Sequence, residues 1–276
     1  MSVPLALSSA VTYGAGDFAG GLAARRAPVL TVTVVAQGTG LVALTPVALL
    51  VGGHISLAAL GIGAVAGLCG TGGLLLYLRG LAVGPMGLVA PLSSVVGAAL
   101  PLLAGVLAGE RPGGLAWLAL TVALAAIVLA SAGSRGNAAA GVGLVYGLGA
   151  GVGFGLFFVA VAATPEDAGL WPLVAGRFAS VAVLGAILLA GGGGARRRLT
   201  PADARLMVLC GLLDTTANVL FLLATRTGAL SISGVLVSLY PVVVVVLARV
   251  VLGERLSGLQ LTGVGLALTA SALLAV

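Results

Sequence analysis

The sequence predicts an all-α integral membrane protein, with ten transmembrane helices arranged as two inverted five-helix repeats. Three observations carry this expectation. First, 60% of the 276 residues are hydrophobic and only 7% are charged. A soluble domain carries ~25% charged residues, so this chain has too few polar groups to cover a water-facing surface. Second, the apolar residues gather in ten runs, and a helix needs ~20 apolar residues to cross the hydrocarbon core. Third, the chain repeats itself at an offset of 144 residues.

The ten spans lie at 3–24, 29–51, 57–83, 85–108, 112–131, 140–163, 171–190, 203–226, 229–252 and 256–276. Their limits are set by polar residues, Gly and Pro. Arg25-Arg26-Ala27-Pro28 closes the first span, and Gly52-Gly53-His54 separates the second from the third. Gly84-Pro85, Glu110-Arg111-Pro112 and Ser134-Arg135-Gly136-Asn137 mark the next three breaks. Thr164-Pro165-Glu166-Asp167, the stretch 191–201, Arg226-Thr227-Gly228 and Glu254-Arg255 divide the rest. Every connection is short, which leaves no room for a soluble domain. The runs are continuous and lack strand alternation, which argues against a barrel. The first run precedes Arg25 and Arg26 rather than following a basic segment, so it reads as a retained span and not a cleaved leader.

Composition removes several classes of activity. The chain has no Lys, so it cannot carry a Gly-Lys-Ser/Thr phosphate loop, and it has no ATPase motor of its own. Cys69 and Cys210 sit in apolar runs, and His54 is the lone histidine. Neither a disulfide framework nor a metal cluster follows from these, and no cofactor is implied. The formal charge of +6 is entirely arginine, which reads as membrane topology rather than a nucleic-acid footprint.

Orientation follows from the placement of those arginines. One face of the membrane receives Arg25, Arg26, Arg79, Arg135, Arg196, Arg197, Arg198, Arg205, Arg249 and Arg255. The opposite face receives Arg111 and Arg226, with Arg177 a little inside the seventh span. The positive-inside rule then places both termini outside the cytoplasm of a multi-pass plasma-membrane protein.

The repeat sets the architecture. At the 144-residue offset, Gly109-Glu110-Arg111 falls on Gly253-Glu254-Arg255, and 12 of the 27 positions from Leu103 to Leu129 are identical. Gly67/Gly211, Thr71/Thr215, Gly84/Gly228 and Ser94/Ser238 match upstream. The two repeats, 1–133 and 138–276, hold five spans each. Five is odd, so the second copy enters the membrane from the opposite side. Inverted repeats are an architecture by which secondary transporters alternate access about a midplane site.

These features resemble the drug/metabolite transporter superfamily, in its EamA-like branch. The resemblance rests on ten short-looped spans in a five-plus-five repeat, on Gly-Glu-Arg after spans four and nine, and on Tyr13-Gly14 and Tyr146-Gly147 early in spans one and six. It implies a carrier of amino acids, sugars, nucleotide precursors or drugs, usually an exporter. It also implies cytoplasmic termini, the reverse of the arginine distribution.

Candidate site residues are the polar groups where lipid makes them costly. An ionisable side chain near a helix centre costs ~2.5–3.5 kcal/mol on insertion scales. Asp17, Arg177 and Asp214 lie in spans one, seven and eight. Asp214 shares a helix face with Asn218, and Asp17 shares one with Tyr13, each pair being four residues apart. Gln37 holds in span two about the place Arg177 holds in span seven. Ser93, Ser94, Ser238 and Tyr240 neighbour Pro91 and Pro241, where a proline frees a carbonyl that a hydroxyl can satisfy. Each has a plainer alternative. Asp214 with Arg177 is read either as a structural ion pair or as a coupling site, and Asp17 either as a cavity residue or as a helix-end group in water beside Arg25 and Arg26. Gln37 and Asn218 can simply tie helices together, and the prolines can simply bend them. Tyr77, Tyr146 and Trp171 are expected to anchor at the interface. Glu110 and Glu254 are expected there too, each paired with a neighbouring arginine. Gly16/Gly20 and Gly147/Gly151/Gly155 permit close helix contact.

The leading expectation is a secondary transporter of a small organic solute, exporting it by alternating access, with proton coupling through Asp214. Its expected partners are that solute, the bilayer and a second copy of the chain in a homodimer, and not nucleic acid. The alternatives are a membrane-embedded enzyme using Asp17 and Asp214 as an aspartyl pair, and a non-transporting structural subunit.

Overall fold

The computed structural model describes residues 2–107, 138–190, 199–227 and 240–274, with isolated helical positions between 114 and 129. Every regular element among them is a helix. We number them α1 (Ser2–Arg26), α2 (Val29–Val51), α3 (Leu57–Val83), α4 (Met86–Leu107), α5 (Ala138–Ala162), α6 (Trp171–Ala190), α7 (Pro201–Thr227), α8 (Tyr240–Leu252) and α9 (Gly258–Leu274), with one 3-10 turn at Glu166–Ala168. Most of the expected span 112–131 lies outside the described residues. So do Glu110, Arg111, Arg135, Arg196, Arg197, Arg198 and Ser238.

Local chemistry fixes the helix ends. The Ser56 side chain accepts the Ala59 N–H at 3.1 Å to open α3. Thr200 and Asp203 form a reciprocal cap at the start of α7. The Thr200 hydroxyl oxygen accepts the Asp203 N–H at 3.2 Å, and an Asp203 carboxylate oxygen accepts the Thr200 N–H at 3.1 Å. Pro201 then takes the first helical position, where no amide donor is needed. Pro85 separates α3 from α4, and its carbonyl accepts the Leu88 and Val89 amides. Gly253 turns the chain off α8 with φ +66°, a conformation that favours glycine.

Among the described residues, Val29–Val51, Leu57–Val83, Ala138–Val161, Trp171–Ala190 and Pro201–Phe221 are long and apolar enough to cross a membrane. Met86–Gly97 and Tyr240–Leu252 add shorter apolar stretches. Only 22–28% of the most hydropathic window in each of the five is buried within the protein. Leu50 is 88% exposed, Leu57 92% and Leu189 86%. Side chains of this kind need an apolar solvent, and the bilayer supplies it.

The broadest contacts all join the first four helices to the second half of the chain. They pair α1 with α7, α3 with α5 and α6, α4 with α5, and α2 with α6 and α7. Exchange α1–α4 for α5–α8 in order, and the α1–α7 contact becomes α3–α5 while α3–α6 becomes α2–α7. The packing thus has the same pattern read from either half. Small residues let these helices approach. Gly147, Gly151 and Gly155 line α5 against α4, and a Cβ at Gly151 would meet Val96 Cβ at 2.5 Å. Gly16 and Gly20 do the same for α1 on α7, where a Cβ at Gly20 would lie 2.8 Å from Cys210 Sγ.

The turns gather at two ends. Arg25, Gly84, Gly87 and Glu254 meet at one. At the other, the His54 amide donates to the Asp167 carbonyl at 2.8 Å. Gly52 and Gly169, with φ +76° and +59°, allow that second approach, since a Cβ on Gly169 would stand 2.5 Å from Gly52 O.

Candidate functional site: a polar seam between the halves

One charged network crosses the seam between the halves. Arg177 on α6 donates through Nη1 to Gln37 Oε1 on α2 at 2.7 Å and through Nη2 to Asp214 on α7. The Arg177 side chain is only 10% exposed. Gln37 passes the network on, donating through Nε2 to Thr71 Oγ1 on α3 at 2.9 Å, and Thr71 donates to Ser180 Oγ on α6 at 2.6 Å. Asn218 Nδ2 donates to the Asp214 carbonyl one turn back at 2.7 Å. Gln37 and Thr71 come from the first half, and Arg177, Ser180, Asp214 and Asn218 from the second. Space for the guanidinium comes from Gly40 on α2: a Cβ there would collide with Arg177 and lie 2.6 Å from Thr215 Oγ1.

A second cluster centres on α1. Asp17 accepts a hydrogen bond from the Tyr77 hydroxyl on α3 at 2.9 Å. Tyr77 is fully buried and meets Phe154 of α5 edge-on, with ring centroids 5.5 Å apart. Tyr13, one turn before Asp17, faces Tyr240 of α8 with centroids 6.2 Å apart. The Tyr240 hydroxyl engages Ser93 and Ser94 on α4, and Ser93 also donates to the Ala90 carbonyl at 2.9 Å. The two clusters adjoin, because a Cβ at Gly16 would lie 3.4 Å from the Asp214 amide nitrogen.

Three expectations need correction. Tyr77 is not an interfacial anchor: its ring is sealed in the core and its hydroxyl holds Asp17. Asp17 is not a helix-end group beside Arg25 and Arg26, because it lies within α1, two turns before them. Glu254 does not pair with its neighbour Arg255 but with Arg25 at 2.7 Å, 229 positions away. The aspartyl pair needed for an enzyme also has no direct link among the described residues. Asp214 engages Arg177 and Asn218, while Asp17 engages Tyr77.

The sequence reading did not single out Thr71, Ser180, Tyr77 or Arg25 as site residues. Thr71 carried one signal, its identity with Thr215 at the repeat offset. Ser180 carried none, being a lone hydroxyl in an apolar run.

Membrane-exposed helices around a charged internal seam define a multi-pass membrane protein. The EamA-like transporter family model matches the chain twice, over residues 1–132 and 141–276, so the chain belongs to that family. A solved structure titled "Crystal structure of protein" is similar over 99% of this chain and 95% of its own, with TM-score 0.64 and 16% identity. At that identity the likeness speaks for the fold. No curated protein matches by sequence.

Proposed function

We propose that this protein is a secondary transporter exporting a small organic solute across the plasma membrane by alternating access, with two inverted five-span halves moving about the polar seam. One observation carries the reading: the largely enclosed Arg177 guanidinium is held by Asp214 from the second half and Gln37 from the first. A charge shared across a seam changes its partners when the halves rock, and midplane sites at repeat interfaces are where such carriers bind. The exchangeable contact pattern of the helices supports two equivalent halves.

The charges suggest the coupling. Arg177 balances one of the two carboxylates, and Asp17 meets only the Tyr77 hydroxyl among the described residues. The seam therefore has room for one more positive charge, either a proton or a protonated amine on the solute. Protonation of Asp214 would free the Arg177 guanidinium from its partner within the second half and leave it on Gln37, its contact across the seam. On the positive-inside rule, the end that carries Arg25 and Arg26 faces the cytoplasm.

Counterflow in proteoliposomes against a panel of metabolites, run with and without a pH gradient, tests the proposal. Exchange of at least one solute, driven by the gradient in the native protein and indifferent to it in Asp214→Asn, is the expected result. Equal gradient-driven flux in both proteins would overturn the coupling role.

A further inference from the structure

At the arginine-bearing end of the bundle, a clasp joins the two halves. Arg25, at the end of α1, donates through Nε to the Leu81 carbonyl at 3.0 Å and through Nη2 to the Gly84 carbonyl at 3.3 Å. These are carbonyls at the C-terminal end of α3, where a cation is favoured. The same Nη2 donates to Glu254 Oε1 at 2.7 Å. The other oxygen, Oε2, accepts the Gly87 N–H at 3.3 Å in the first turn of α4, where an anion is favoured. One ion pair thus bridges α1, α3 and α4 of the first half to the turn after α8 of the second.

We propose that Arg25 and Glu254 form the ionic lock that holds this end closed, so that its release opens the path to the polar seam. The inference rests on the alternating-access reading above. Four features point to a lock rather than a brace. Arg25 is fixed to first-half carbonyls independently of Glu254, so the halves can separate along a single bond set while Arg25 stays seated. Both Glu254 side-chain contacts lie on the first half, whereas its own half holds only its backbone, through the Gly253 turn and the bond from its N–H to the Ala248 carbonyl at 3.3 Å. The pair is partly solvated, with side chains 29% and 16% exposed, and water can take over the released charges without a dry intermediate. Ala23, Leu81, Met86 and Ala248 are all buried to within 1%. They belong to one apolar core cluster with Phe18, Tyr77 and Val244, and Leu81 and Met86 meet α1 at Gly21, in the ~12 Å of helix rise that separates Asp17 from Arg25. On this proposal that part of the core is the plug in the path, with the clasp at its outer end.

Gly87 completes the seat. A Cβ there would lie 3.3 Å from Leu256 Cδ1, so the bare backbone lets the 253–257 turn rest on α4. This gives a mechanical meaning to Gly-Glu-Arg at 253–255. The glycine turns the chain and the glutamate crosses to the other repeat.

The test reads access from the arginine-bearing side without needing a transported solute. With Cys69→Ala and Cys210→Ala as background, Ala23→Cys reports on the plug through its labelling rate with a membrane-impermeant maleimide. Glu254→Gln and Arg25→Gln should each raise that rate at least tenfold, and the double variant should match the faster of the two, because both changes remove the same bond. Rates within twofold of background in variants with an unchanged melting temperature would overturn the lock. Should either neutral variant fail to fold, a short bismaleimide across Arg25→Cys and Glu254→Cys gives the second reading. Cross-linking should abolish maleimide access to the plug and any counterflow, and continued access or flux in fully cross-linked protein would overturn the lock. Loss of labelling control with intact flux defeats the lock alone. Absence of flux for every solute, with labelling behaving as expected, defeats the transporter reading alone.

Discussion

Tyr77 donates its hydroxyl hydrogen to Asp17 from a position with no solvent exposure. The pair joins α1 to α3, and the Tyr77 ring continues to Phe154 on α5. Truncating the hydroxyl in Tyr77→Phe removes the one donor Asp17 has among the described residues. A fully buried acceptor left unsatisfied costs about 1–3 kcal/mol, and the half-buried Asp17 less. We expect Tyr77→Phe to lower the melting temperature by several degrees and counterflow by severalfold, with helix content by circular dichroism unchanged. Native flux in the variant would show that Tyr77 only fills space.

The Arg177–Asp214 pair yields a prediction that separates stability from transport. Removing one partner of an ion pair leaves the other charge uncompensated, at about 3–5 kcal/mol when the pair is fully buried and less here, where the Arg177 and Asp214 side chains are 10% and 32% exposed. Asp214→Asn and Arg177→Gln should each be destabilised in thermal unfolding in detergent. The double variant should recover most of that loss, since no charge is stranded. Counterflow should stay low in all three. A double variant with full flux would reduce the pair to scaffolding.

The helices were legible in the sequence because apolar runs and Gly or Pro breaks are local signals. α2, α3 and α6 run from 29 to 51, 57 to 83 and 171 to 190, where hydropathy alone places them. The charged candidates were legible through cost, since Asp17, Arg177 and Asp214 are conspicuous in otherwise apolar spans. Their partners were not. Tyr77 in an apolar helix has the same local signature as an interfacial anchor, and only the register between α1 and α3 turns it toward Asp17. Arg25 and Glu254 are 229 positions apart, and nothing local in either segment names the other. Arg255 is the nearer arginine in sequence, but the turn at Gly253 aims Glu254 away from it.

Gly40 gives a steric prediction with an internal control. A Cβ at this position would strike the Arg177 guanidinium and Thr215 Oγ1. Overpacking of this kind costs about 1–3 kcal/mol, and here it also displaces the charge at the centre of the seam. Gly40→Ala should therefore lose flux and stability together. Gly38, two residues earlier, has nothing within 4 Å of an added Cβ. Gly38→Ala should stay within about 0.5 kcal/mol of the native protein and transport normally. Equal behaviour of the two variants in a melting assay would contradict the crowding at Gly40.

Sidedness follows from the same two ends of the bundle. Arg25 and Arg26 close α1 at one end, while His54 lies in the turn between α2 and α3 at the other, 73% exposed at its side chain. One helix separates the two positions, so single cysteines placed there must report opposite faces. Asp167, whose carbonyl holds the His54 amide, marks the same face as His54. With the native cysteines replaced, His54→Cys and Asp167→Cys should react with an impermeant maleimide in intact cells. Arg26→Cys should react only after permeabilisation, since the positive-inside rule draws the arginine-bearing end to the cytoplasm. The reverse pattern would place the termini in the cytoplasm and turn the Arg25–Glu254 clasp into an outer gate, leaving the fold untouched. Labelling of all three in intact cells would contradict α2 as a membrane crossing.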